Sequence, residues 1–532
     1  ADPTPRPVPP PAVVRRNSAS ATAPATQDSG QTILHHNDTY RVDALEDGTA
    51  GGFSRVLTLV REAQAQGRDV RILHGGDFLY PSLESQLWDG LQMVDAMNFL
   101  HAVAPLYAVA GNHEFDRREP AQLVAALQAS DFVWLGDNYS FDTGDAVADA
   151  VLRSGFTFEA GGKTVGVFSV TLHGDDGGNM RDYLDIDPDY QGAAERAIAA
   201  LDARGVDLII GVTHVHMWQD IEIARLQADY PQLAFIVGGH EHEPQYSNVA
   251  NSALVMKGAS NARVIWRIDV DFTEGDGYVV NEQRIVLDET IAFDADYEVL
   301  ANKWRSQLLE KFPFLEARIG TAAHRMDVRE ETIRSRETSW GNFVTDQMRT
   351  AFGEPLADLA FINSGTLRID DYIEDDIRFE DIGRTFGFSS FLRYTTVTGA
   401  EFKRLMEAGY RGGPEAQGYF PQISGFRVCV DRSRKELDRI VSLQVPSGDG
   451  WQEIEADREY VLVVPDFLYG GGDGYEVPKD RFASRPGSEL KYLVLDEILR
   501  AQGSGESVGV PVTRDNRRYH ELRESKEPCF RY

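Results

Sequence analysis

The chain has 532 residues and a formal net charge of −31 at pH 7; 42% of its residues are hydrophobic and 26% are charged. This length exceeds one ordinary core and predicts two domains, and the composition is that of a globular protein. The negative charge excludes a nucleic-acid backbone as partner, because its phosphates would be repelled. A small phosphorylated substrate stays compatible, since metals and arginines can make its site locally positive. No apolar run approaches the roughly 20 residues that span a bilayer.

The two cysteines, Cys429 and Cys529, are too few for a disulfide scaffold or a cysteine zinc cluster. A single disulfide, worth roughly 4–5 kcal/mol in the loop-entropy model, and two buried thiols are both compatible with the sequence. The chain opens with Ala1-Asp2-Pro3 and without methionine, as a mature or recombinant end does after signal removal. We therefore expect an extracytoplasmic protein: periplasmic, secreted or surface-tethered.

The elements alternate between strands and helices once the N-terminal region ends. Residues 1–30 are rich in Pro, Ala, Ser and Thr and are predicted to form a disordered leader. The apolar runs then predict strands at Thr32–His36, Val70–His74, Pro105–Ala110, Val206–Val212 and Leu233–Val237, and helices at Gly51–Gln66 and Leu83–His101.

Each of these five strands ends in a polar loop that carries Asp, Asn or His. The loops contain Asp38, Gly75-Gly76-Asp77, Gly111-Asn112-His113-Glu114, Thr213-His214-Val215-His216 and Gly238-Gly239-His240-Glu241-His242. Buried strands joined by helices form an α/β layer whose loops meet at one edge of the sheet. We therefore expect these polar side chains to converge, although they are spread over two hundred residues of sequence.

The convergent side chains suit a two-metal phosphoesterase, which needs a bridging carboxylate and terminal nitrogen and oxygen ligands. Asp77 is the predicted bridge, because the glycine pair before it allows a tight turn. Asp38 and His242 would complete the shell of one ion. The predicted ligands of the other ion are Asn112, His214 and His240. His113 would protonate the leaving oxygen without binding metal, and Asp116 would orient its ring.

The second half of the chain predicts a separate domain after a connecting helix. A helix should begin near Ser339, and the strand Leu359–Ile362 should run into Asn363-Ser364-Gly365-Thr366-Leu367-Arg368. The expected organisation is a leader (1–30), a metal-binding domain (31–293), a linker helix region (294–324), a second domain (325–523) and a tail (524–532).

The strand-end motifs resemble those of the calcineurin-like metallophosphoesterases, and segments of the second domain resemble the 5′-nucleotidase C-terminal domain. The order of the two is that of the 5′-nucleotidase/UDP-sugar hydrolase/2′,3′-cyclic phosphodiesterase family, over roughly residues 31–520. This resemblance implies a four-layer α/β sandwich that carries the metals, followed by a smaller α/β domain that binds the nucleoside.

The resemblance also implies a nucleotide site in the second domain. Phe420 and Phe467 match the two aromatic residues that stack on the base, and Asp473 matches the carboxylate that binds the ribose hydroxyls. Arg368 matches an arginine that contacts phosphate. A second phosphate arginine has no secure counterpart, and Arg393 is the nearest candidate.

Two tyrosines depart from the motif of the family's better-known members. Tyr40 stands where those proteins have a metal-binding histidine, and Tyr80 follows Asp77 at the spacing seen in purple acid phosphatases. A phenolate suits a hard, highly charged ion. We therefore expect two divalent or mixed-valence ions (Zn, Mn, Mg, Co or Fe), with Fe(III) if Tyr80 or Tyr40 is a ligand. The alternative is that both tyrosines only pack at the sheet edge.

The predicted activity is metal-dependent hydrolysis of nucleotide phosphate esters, with 5′-mononucleotides as the first substrates. A broad phosphomonoesterase or phosphodiesterase, acting also on cyclic nucleotides or UDP-sugars, is the enzymatic alternative. A nucleotide-binding protein without turnover is the non-enzymatic one. The sequence does not fix the oligomeric state.

Overall fold

A computed structural model describes residues 30–273, 277–479, 486–522 and 528–530. The chain divides into two compact units, Ala1–Leu308 and Leu309–Tyr532. The predicted leader lies outside the described residues except for Gly30, and so does the predicted tail except for residues 528–530. The predicted domain boundaries stay a prediction.

The first unit is built from strands and helices that alternate along most of its length. Its strands are β1 (Gln31–His36), β2 (Asp69–His74), β3 (Leu106–Val109), β4 (Val133–Leu135), β5 (Tyr139–Phe141), β6 (Phe156–Ala160), β7 (Lys163–Thr171), β8 (Leu184–Ile186), β9 (Leu208–His214), β10 (Leu233–Gly238), β11 (Gln245–Ser247), β12 (Leu254–Lys257), β13 (Val264–Phe272) and β14 (Tyr278–Val286). Its helices are α1 (Phe53–Ala65), α2 (Ser85–Trp88), α3 (Leu91–Val103), α4 (Ala121–Ala129), α5 (Ala146–Asp149), α6 (Tyr190–Ala203), α7 (Met217–Ala224) and α8 (Ala295–Lys311), which crosses the unit boundary.

Two six-stranded mixed sheets form the centre of this unit. Their strand orders are β14-β13-β1-β2-β3-β4 and β11-β12-β10-β9-β7-β6. The strands β1 to β4 run parallel, as do β7, β9, β10 and β12. Every residue of β1 and β9 is buried, as expected for strands covered on both faces.

The main core of the first unit lies between the two sheets and continues beneath the helices. Ile72 and Val109 of one sheet and Val167 and Ile210 of the other belong to the same buried cluster. The helices α1 and α3 add side chains to this cluster, whereas α6 and α7 pack on the second sheet through a separate one. The arrangement is helix, sheet, sheet, helix, which confirms the predicted α/β sandwich.

The helix predicted at Leu83–His101 is wrong in one respect, because it is interrupted. The chain forms α2 and α3 instead, and the break falls at Asp89 and Gly90. Both residues have left-handed backbone conformations, with φ of 51° and 83°. A left-handed residue ends a helix, and glycine adopts this conformation readily. The break therefore follows from the Asp89-Gly90 pair, which a reading of apolar periodicity does not take into account.

The second unit is also a mixed α/β structure. Its strands are β15 (Arg318–Thr321), β16 (Met326–Asp327), β17 (Leu359–Asn363), β18 (Tyr372–Ile373), β19 (Asp376–Arg378), β20 (Phe391–Thr398), β21 (Pro421–Ser424), β22 (Arg427–Val430), β23 (Ile440–Ser447), β24 (Gly450–Glu453), β25 (Glu459–Pro465), β26 (Pro486–Glu489) and β27 (Tyr519–Glu521). Its helices are α9 (Glu330–Ile333), α10 (Ser339–Thr350), α11 (Phe379–Thr385), α12 (Gly399–Gly409), α13 (Asp466–Tyr469) and α14 (Leu490–Gly503).

A five-stranded sheet of order β21-β17-β25-β20-β26 organises the second unit, with separate buried clusters on its two faces. Cys429 of β22 forms a disulfide with Cys529, and their Cα atoms are 5.8 Å apart. This settles the choice between a disulfide and two thiols that the sequence leaves open. Among the residues described, no helix is long and apolar enough to span a bilayer.

Candidate functional site

The polar loops that follow β1, β2, β3, β9 and β10 lie at one edge of the first unit. The strands are paired in register, His36 with His74 and His74 with Ala108 in one sheet and Thr213 with Gly238 in the other. Parallel neighbours in register end at the same level, so the residues after them are brought together.

At this edge, Asp38, Asp77 and His214 form a buried cluster. One carboxylate oxygen of each Asp and one imidazole nitrogen lie within 4.8 Å of one another. The Nε2 atom of His214 is 3.2 Å from Asp77 and 3.1 Å from the side-chain oxygen of Asn112. Its Nδ1 atom is 2.6 Å from the Gly75 carbonyl, which holds the proton there and directs the other nitrogen to the cluster. Carboxylates, an amide oxygen and an imidazole are a donor set that fits a divalent metal ion.

The electrostatics of the cluster favour a positive charge. Burial alone would lower the pKa of His214, but the Asp77 carboxylate, with contributions from Asp38 and the Gly75 carbonyl, raises it to about 9. Asp77 in turn has its pKa held well below the usual range by the charges of His214 and His113, although its burial acts in the other direction. The field that attracts a proton to His214 also favours a cation among these side chains.

A second group of side chains meets Asp38 on another side. The Nε2 atom of His242 is 3.2 Å from Asp38 Oδ1. The Tyr40 hydroxyl lies 3.2 Å from His242 Nε2, 3.3 Å from Asp38 Oδ1 and 3.5 Å from Asp77 Oδ2. Tyr40 therefore reaches the cluster with its phenol oxygen.

His240 approaches the cluster from the loop after β10. Its backbone N–H donates to Asp38 Oδ2 at 2.9 Å, and its ring lies 5.4 Å from that of His214 and 4.5 Å from that of His216. Burial, together with the neighbouring histidines, holds the pKa of His240 well below its ordinary value. A neutral imidazole is the form that binds metal.

Three of the gathered residues have backbone conformations that side chains rarely adopt. Asp38, Asp77 and His240 have φ of 52°, 61° and 83°. Such strain persists where the surroundings fix it, and it concentrates at functional sites. Gly111 is also required here, because a Cβ atom at this position would overlap the Asp77 carboxylate.

Glu114 joins two of the loops, a role that sequence reasoning missed. Its buried carboxylate accepts the backbone N–H groups of Asp77, Phe78, Leu79 and Gly111 at 2.6–3.0 Å. Burial, with a contribution from Asp77, raises the pKa of Glu114 to about 7. The spacing of Glu114 after Gly111 is visible in the sequence, but its other three partners lie more than thirty residues earlier.

His113 and Asp116 form a pair beside the cluster. The Nδ1 atom of His113 is 2.9–3.0 Å from the Asp116 carboxylate, and the His113 backbone N–H donates to Asp77 Oδ1 at 2.8 Å. Asn179, which the sequence did not single out, donates to Asp116 Oδ1 at 2.9 Å and to the Asn112 carbonyl at 2.7 Å. The structure thus brings the predicted pair together and supports it with a third residue.

The geometry argues against Tyr80 as a metal ligand. Its hydroxyl donates to Asp89 at 3.0 Å, and the Arg117 guanidinium lies 4.9 Å from its ring centroid. Burial raises the pKa of Tyr80 above its ordinary value, which disfavours the phenolate form. Tyr80 is only three residues from Asp77 in the sequence, but its hydroxyl contacts Asp89 instead of the cluster.

In the second unit, two arginines share one buried carboxylate. Glu330 Oε1 lies 2.9 Å from Arg334 and 3.8 Å from Arg368. The Nε atom of Arg334 is buried and has no hydrogen-bond partner within the described part of the chain. Sequence reasoning identified Arg368 but missed Arg334.

Arg393 is not placed with these arginines. It lies in β20 opposite Val464, and its charge acts on Asp466. The charges that act on Asp473 come from Arg411, Arg334 and Arg368. The structure thus favours Arg334 over Arg393 as the second arginine near Arg368.

Asp473 lies among polar and positively charged neighbours. Burial raises its pKa, and Asn363 donates to its Oδ2 atom at 2.8 Å. The side chain of Arg411 donates to its backbone carbonyl at 3.1 Å. Two segments that the sequence analysis singled out, at Asn363 and Asp473, therefore meet.

The two predicted stacking rings are not equivalent. Phe467 is 51% exposed, whereas Phe420 is 3% exposed and packs against Tyr410 and Tyr519 with centroid distances of 5.7 Å and 5.2 Å. The expectation that both rings sandwich a base does not fit this conformation, because the ring of Phe420 is covered. Of the two, Phe467 has a surface that a base could contact.

Comparisons with known proteins agree with both halves of this description. The profile of the calcineurin-like phosphoesterases matches residues 31–244, and that of the 5′-nucleotidase C-terminal domain matches residues 318–480. The chain belongs to the 5′-nucleotidase family. This confirms the resemblance read from the strand-end motifs.

The matches to the relatives given below cover most of the length of this chain. The 5′-nucleotidase of Rattus norvegicus is 23% identical over 517 residues, which cover 88% of this chain and 87% of that protein. The trifunctional nucleotide phosphoesterase protein YfkN of Bacillus subtilis is 23% identical over 89% of this chain, but the match spans only 34% of YfkN. The crystal structure of a 5′-nucleotidase precursor from Thermus thermophilus superposes with a TM-score of 0.78 at 22% identity, covering 93% of this chain and 100% of that one.

Proposed function

We propose that this protein hydrolyses phosphate esters of nucleotides with the help of metal ions, and that 5′-mononucleotides are its first substrates. The observation that carries the proposal is the buried cluster of Asp38, Asp77 and His214 beside the His113–Asp116 pair. The family membership and the nucleotidases among the relatives support it.

Two ions are proposed, which share Asp77. One would be held by Asp38, Asp77 and His242, with Tyr40 at its side, and the other by Asp77, Asn112, His214 and His240. When bound, such ions act as Lewis acids on phosphate oxygens and lower the pKa of water. Zn, Mn, Mg, Co and Fe are all compatible with these oxygen and nitrogen donors.

The protein's own residues supply the proton transfer. With Nδ1 of His113 held by Asp116, Nε2 is the nitrogen that would give a proton to the leaving oxygen of the nucleoside. Asn179 holds Asp116 in turn, so the ring is fixed before substrate binds. The ring lies beside the cluster, with its centroid 6.3 Å from that of Tyr40, and the backbone N–H of His113 donates to Asp77.

For the nucleoside, we propose that Phe467 stacks on the base, Asp473 binds the ribose hydroxyls, and Arg368 and Arg334 attract the phosphate. Exposed aromatic faces and paired guanidinium groups suit these ligands. The exposure of Phe467 and the shared carboxylate of the two arginines support these roles.

The covered ring of Phe420 favours a second candidate function. A protein whose base pocket lacks one of its two aromatic faces could act as a broad phosphomonoesterase or phosphodiesterase that hardly uses the nucleoside. The two candidates differ in how much binding depends on Phe467.

We also propose an extracytoplasmic location. The Cys429–Cys529 disulfide supports it, because disulfides persist mainly in oxidising compartments.

The proposed function is tested by metal analysis of the purified protein together with phosphate release from AMP, UDP-glucose, cyclic nucleotides and 4-nitrophenyl phosphate. We expect about two ions per chain and the highest kcat/KM on AMP. Loss of one stacking contact costs roughly 1–3 kcal/mol, so Phe467→Ala should raise the KM for AMP about tenfold and leave that for 4-nitrophenyl phosphate unchanged. Equal changes for both substrates would favour the broad phosphoesterase.

Phe420→Ala is the matched control for this experiment. Since Phe420 is buried, its loss should lower the free energy of unfolding by about 3–5 kcal/mol rather than act on one substrate alone. The ferric hypothesis for Tyr40 is tested on the same preparation. A colourless, iron-free protein purified without metal exchange would exclude it.

A further inference from the structure

Lys257, the last residue of β12, places a charged ammonium group in the interior of the first unit. The side chain has no exposed surface. Its Nζ atom donates to the carbonyls of Val215 and Gly239 at 2.5 Å and 2.9 Å. It also contacts Glu241 at 2.5 Å and Asp220 at 3.0 Å.

Burial of such a group needs an explanation beyond stability. An ammonium group taken from water costs several kcal/mol unless charges and hydrogen bonds compensate it. Here Asp220, which is fully buried, and Glu241, which is 12% exposed, provide the charges. Replacing such ion clusters by apolar side chains is often neutral or stabilising, so the fold alone does not account for the lysine.

The contacts of Lys257 fall next to three proposed metal ligands. The Val215 carbonyl directly follows His214, and the Gly239 carbonyl directly precedes His240. Glu241 stands between His240 and His242, and its other oxygen accepts the Met217 N–H at 2.7 Å. One ammonium group thereby links the loop after β9 to the loop after β10.

Gly238 shows how closely the strands are fitted around this group. A Cβ atom at Gly238 would lie 2.9 Å from Asp220 Oδ2 and 3.0 Å from Lys257 Cε. The absence of a side chain there lets the ammonium group reach both loops.

We propose that Lys257 is a positioning residue of the metal centre, which fixes the loops bearing His214, His240 and His242 in the arrangement that binds metal. This inference rests on the proposed metal-dependent function. The ammonium group acts through backbone carbonyls and Glu241, at a distance of one residue from each ligand.

The first test is Lys257→Met, studied as metal-free protein titrated with Mn²⁺ or Zn²⁺ against a competing chelator. Partners that orient metal ligands typically contribute 10–100-fold to metal affinity, so we expect Kd to rise by about that factor. The Co²⁺ absorption spectrum should also change, since it reports the geometry of the ligands. An unchanged Kd and spectrum would overturn the proposal.

Lys257→Met also leaves Asp220 without its counter-ion, which can itself prevent folding. The double variant Lys257→Met/Asp220→Asn removes this charge as well. We expect its metal-free Tm to recover relative to Lys257→Met while its metal affinity stays low, because the Val215 and Gly239 carbonyls still lack the ammonium group. Wild-type affinity in the double variant would show that Lys257 only balances charge.

Asp220→Asn alone retains the ammonium group with both carbonyl contacts, and we expect its metal affinity to be close to wild type. A loss as large as that of Lys257→Met would contradict the proposal. If neither Lys257 variant folds, a tenfold or larger loss of metal affinity in Asp220→Asn would still overturn the proposal.

Arg68→Met is the matched control at the other end of the strands. Arg68 is also a buried cation, bonded to Thr32 at 2.6 Å and Asp271 at 2.8 Å near the start of β1. The Arg68→Met substitution should lower the metal-free Tm and leave metal affinity unchanged. A loss of affinity as large as that of Lys257→Met would assign the effect of Lys257 to general destabilisation. If the wild-type protein binds metal but releases phosphate from no substrate, the proposed function fails while the result on Lys257 stands.

Discussion

The metal-binding edge proposed in the first unit and the nucleotide pocket proposed in the second are built on different principles. At this edge of the first unit, the backbone topology sets the positions of the side chains. Parallel strands in register end together, and the proposed ligands lie at or shortly after their ends. In the second unit, the proposed binding residues depend on side-chain packing. Phe420 is covered by neighbouring rings, and the arginine beside Arg368 is Arg334 from a distant segment.

The two regions also differ in how firmly their residues are held. Asp77 is fixed through its own side chain and through the N–H bond that its backbone gives to Glu114. Phe467 stands half exposed on the four-residue helix α13, beside the glycine run Gly470–Gly472. Substitutions should therefore have large, substrate-independent effects at the metal edge and smaller, substrate-dependent effects in the second unit.

The largest effect is expected for Asp77→Asn. This carboxylate is the one shared by both proposed ions, so its loss should reduce metal content and lower kcat/KM by more than about 10³-fold on every substrate. Metal analysis and phosphate release measure the two effects. Asp89→Asn is the control, because Asp89 contacts Tyr80 and Arg117 instead of the cluster; a comparable loss there would restore Tyr80 as a candidate ligand.

His113→Ala should lower kcat for AMP by about 10²–10⁴-fold while metal content stays at the wild-type level. The loss should be much smaller for 4-nitrophenyl phosphate, whose leaving group needs no proton. Asp116→Asn should show the same pattern more weakly. A uniform loss across leaving groups would mean that His113 does not act as the general acid.

A smaller effect is expected in the second unit, from Arg334→Met. Hydrogen bonds to charged groups contribute about 1.5–3 kcal/mol, which corresponds to a 10–100-fold higher KM for AMP. Arg393→Met, whose charge acts on Asp466, should change KM by less than about threefold. If Arg393→Met raised the KM for AMP more than Arg334→Met, Arg393 and not Arg334 would be assigned to the phosphate site.

The smallest effect concerns stability and pH. Burial raises the pKa of Asp381 to about 6, above the ordinary value of about 3.9. Because the folded state holds this proton more tightly, the free energy of unfolding should fall as the pH rises from about 4 to about 6. Denaturant unfolding of Asp381→Asn should show a shallower decline over this range, and an identical decline would contradict the assignment.

The convergence of the strand-end loops could be predicted from the sequence because its signal is local. Each proposed ligand lies at the end of an apolar strand or shortly after it, so the strand prediction also gives the ligand prediction. The roles of Glu114, Asn179 and Lys257 were missed because most of their partners lie in other segments of the chain. The break between α2 and α3 at Asp89–Gly90 was not predicted, because the apolar periodicity continues across it.

The second unit was harder to predict for the opposite reason. Phe420 and Phe467 have the same chemistry, and only the tertiary packing decides that one is covered and the other exposed. Likewise, Arg334 directly follows the short helix α9 and lies 34 positions before Arg368 in the sequence. Both arginines lie near the carboxylate of Glu330, the first residue of α9. Such contacts between distant segments cannot be predicted from each segment of the sequence by itself.

The carboxylate of Glu114 has a consequence for how the metal centre is loaded. Four N–H groups from the loops after β2 and β3 are bonded to it, and none of these bonds involves a metal. Protein stripped by a chelator should keep these amides protected from hydrogen exchange. Reloading would then require only diffusion of ions to a preformed set of side chains, so activity should return within the mixing time and without a refolding phase.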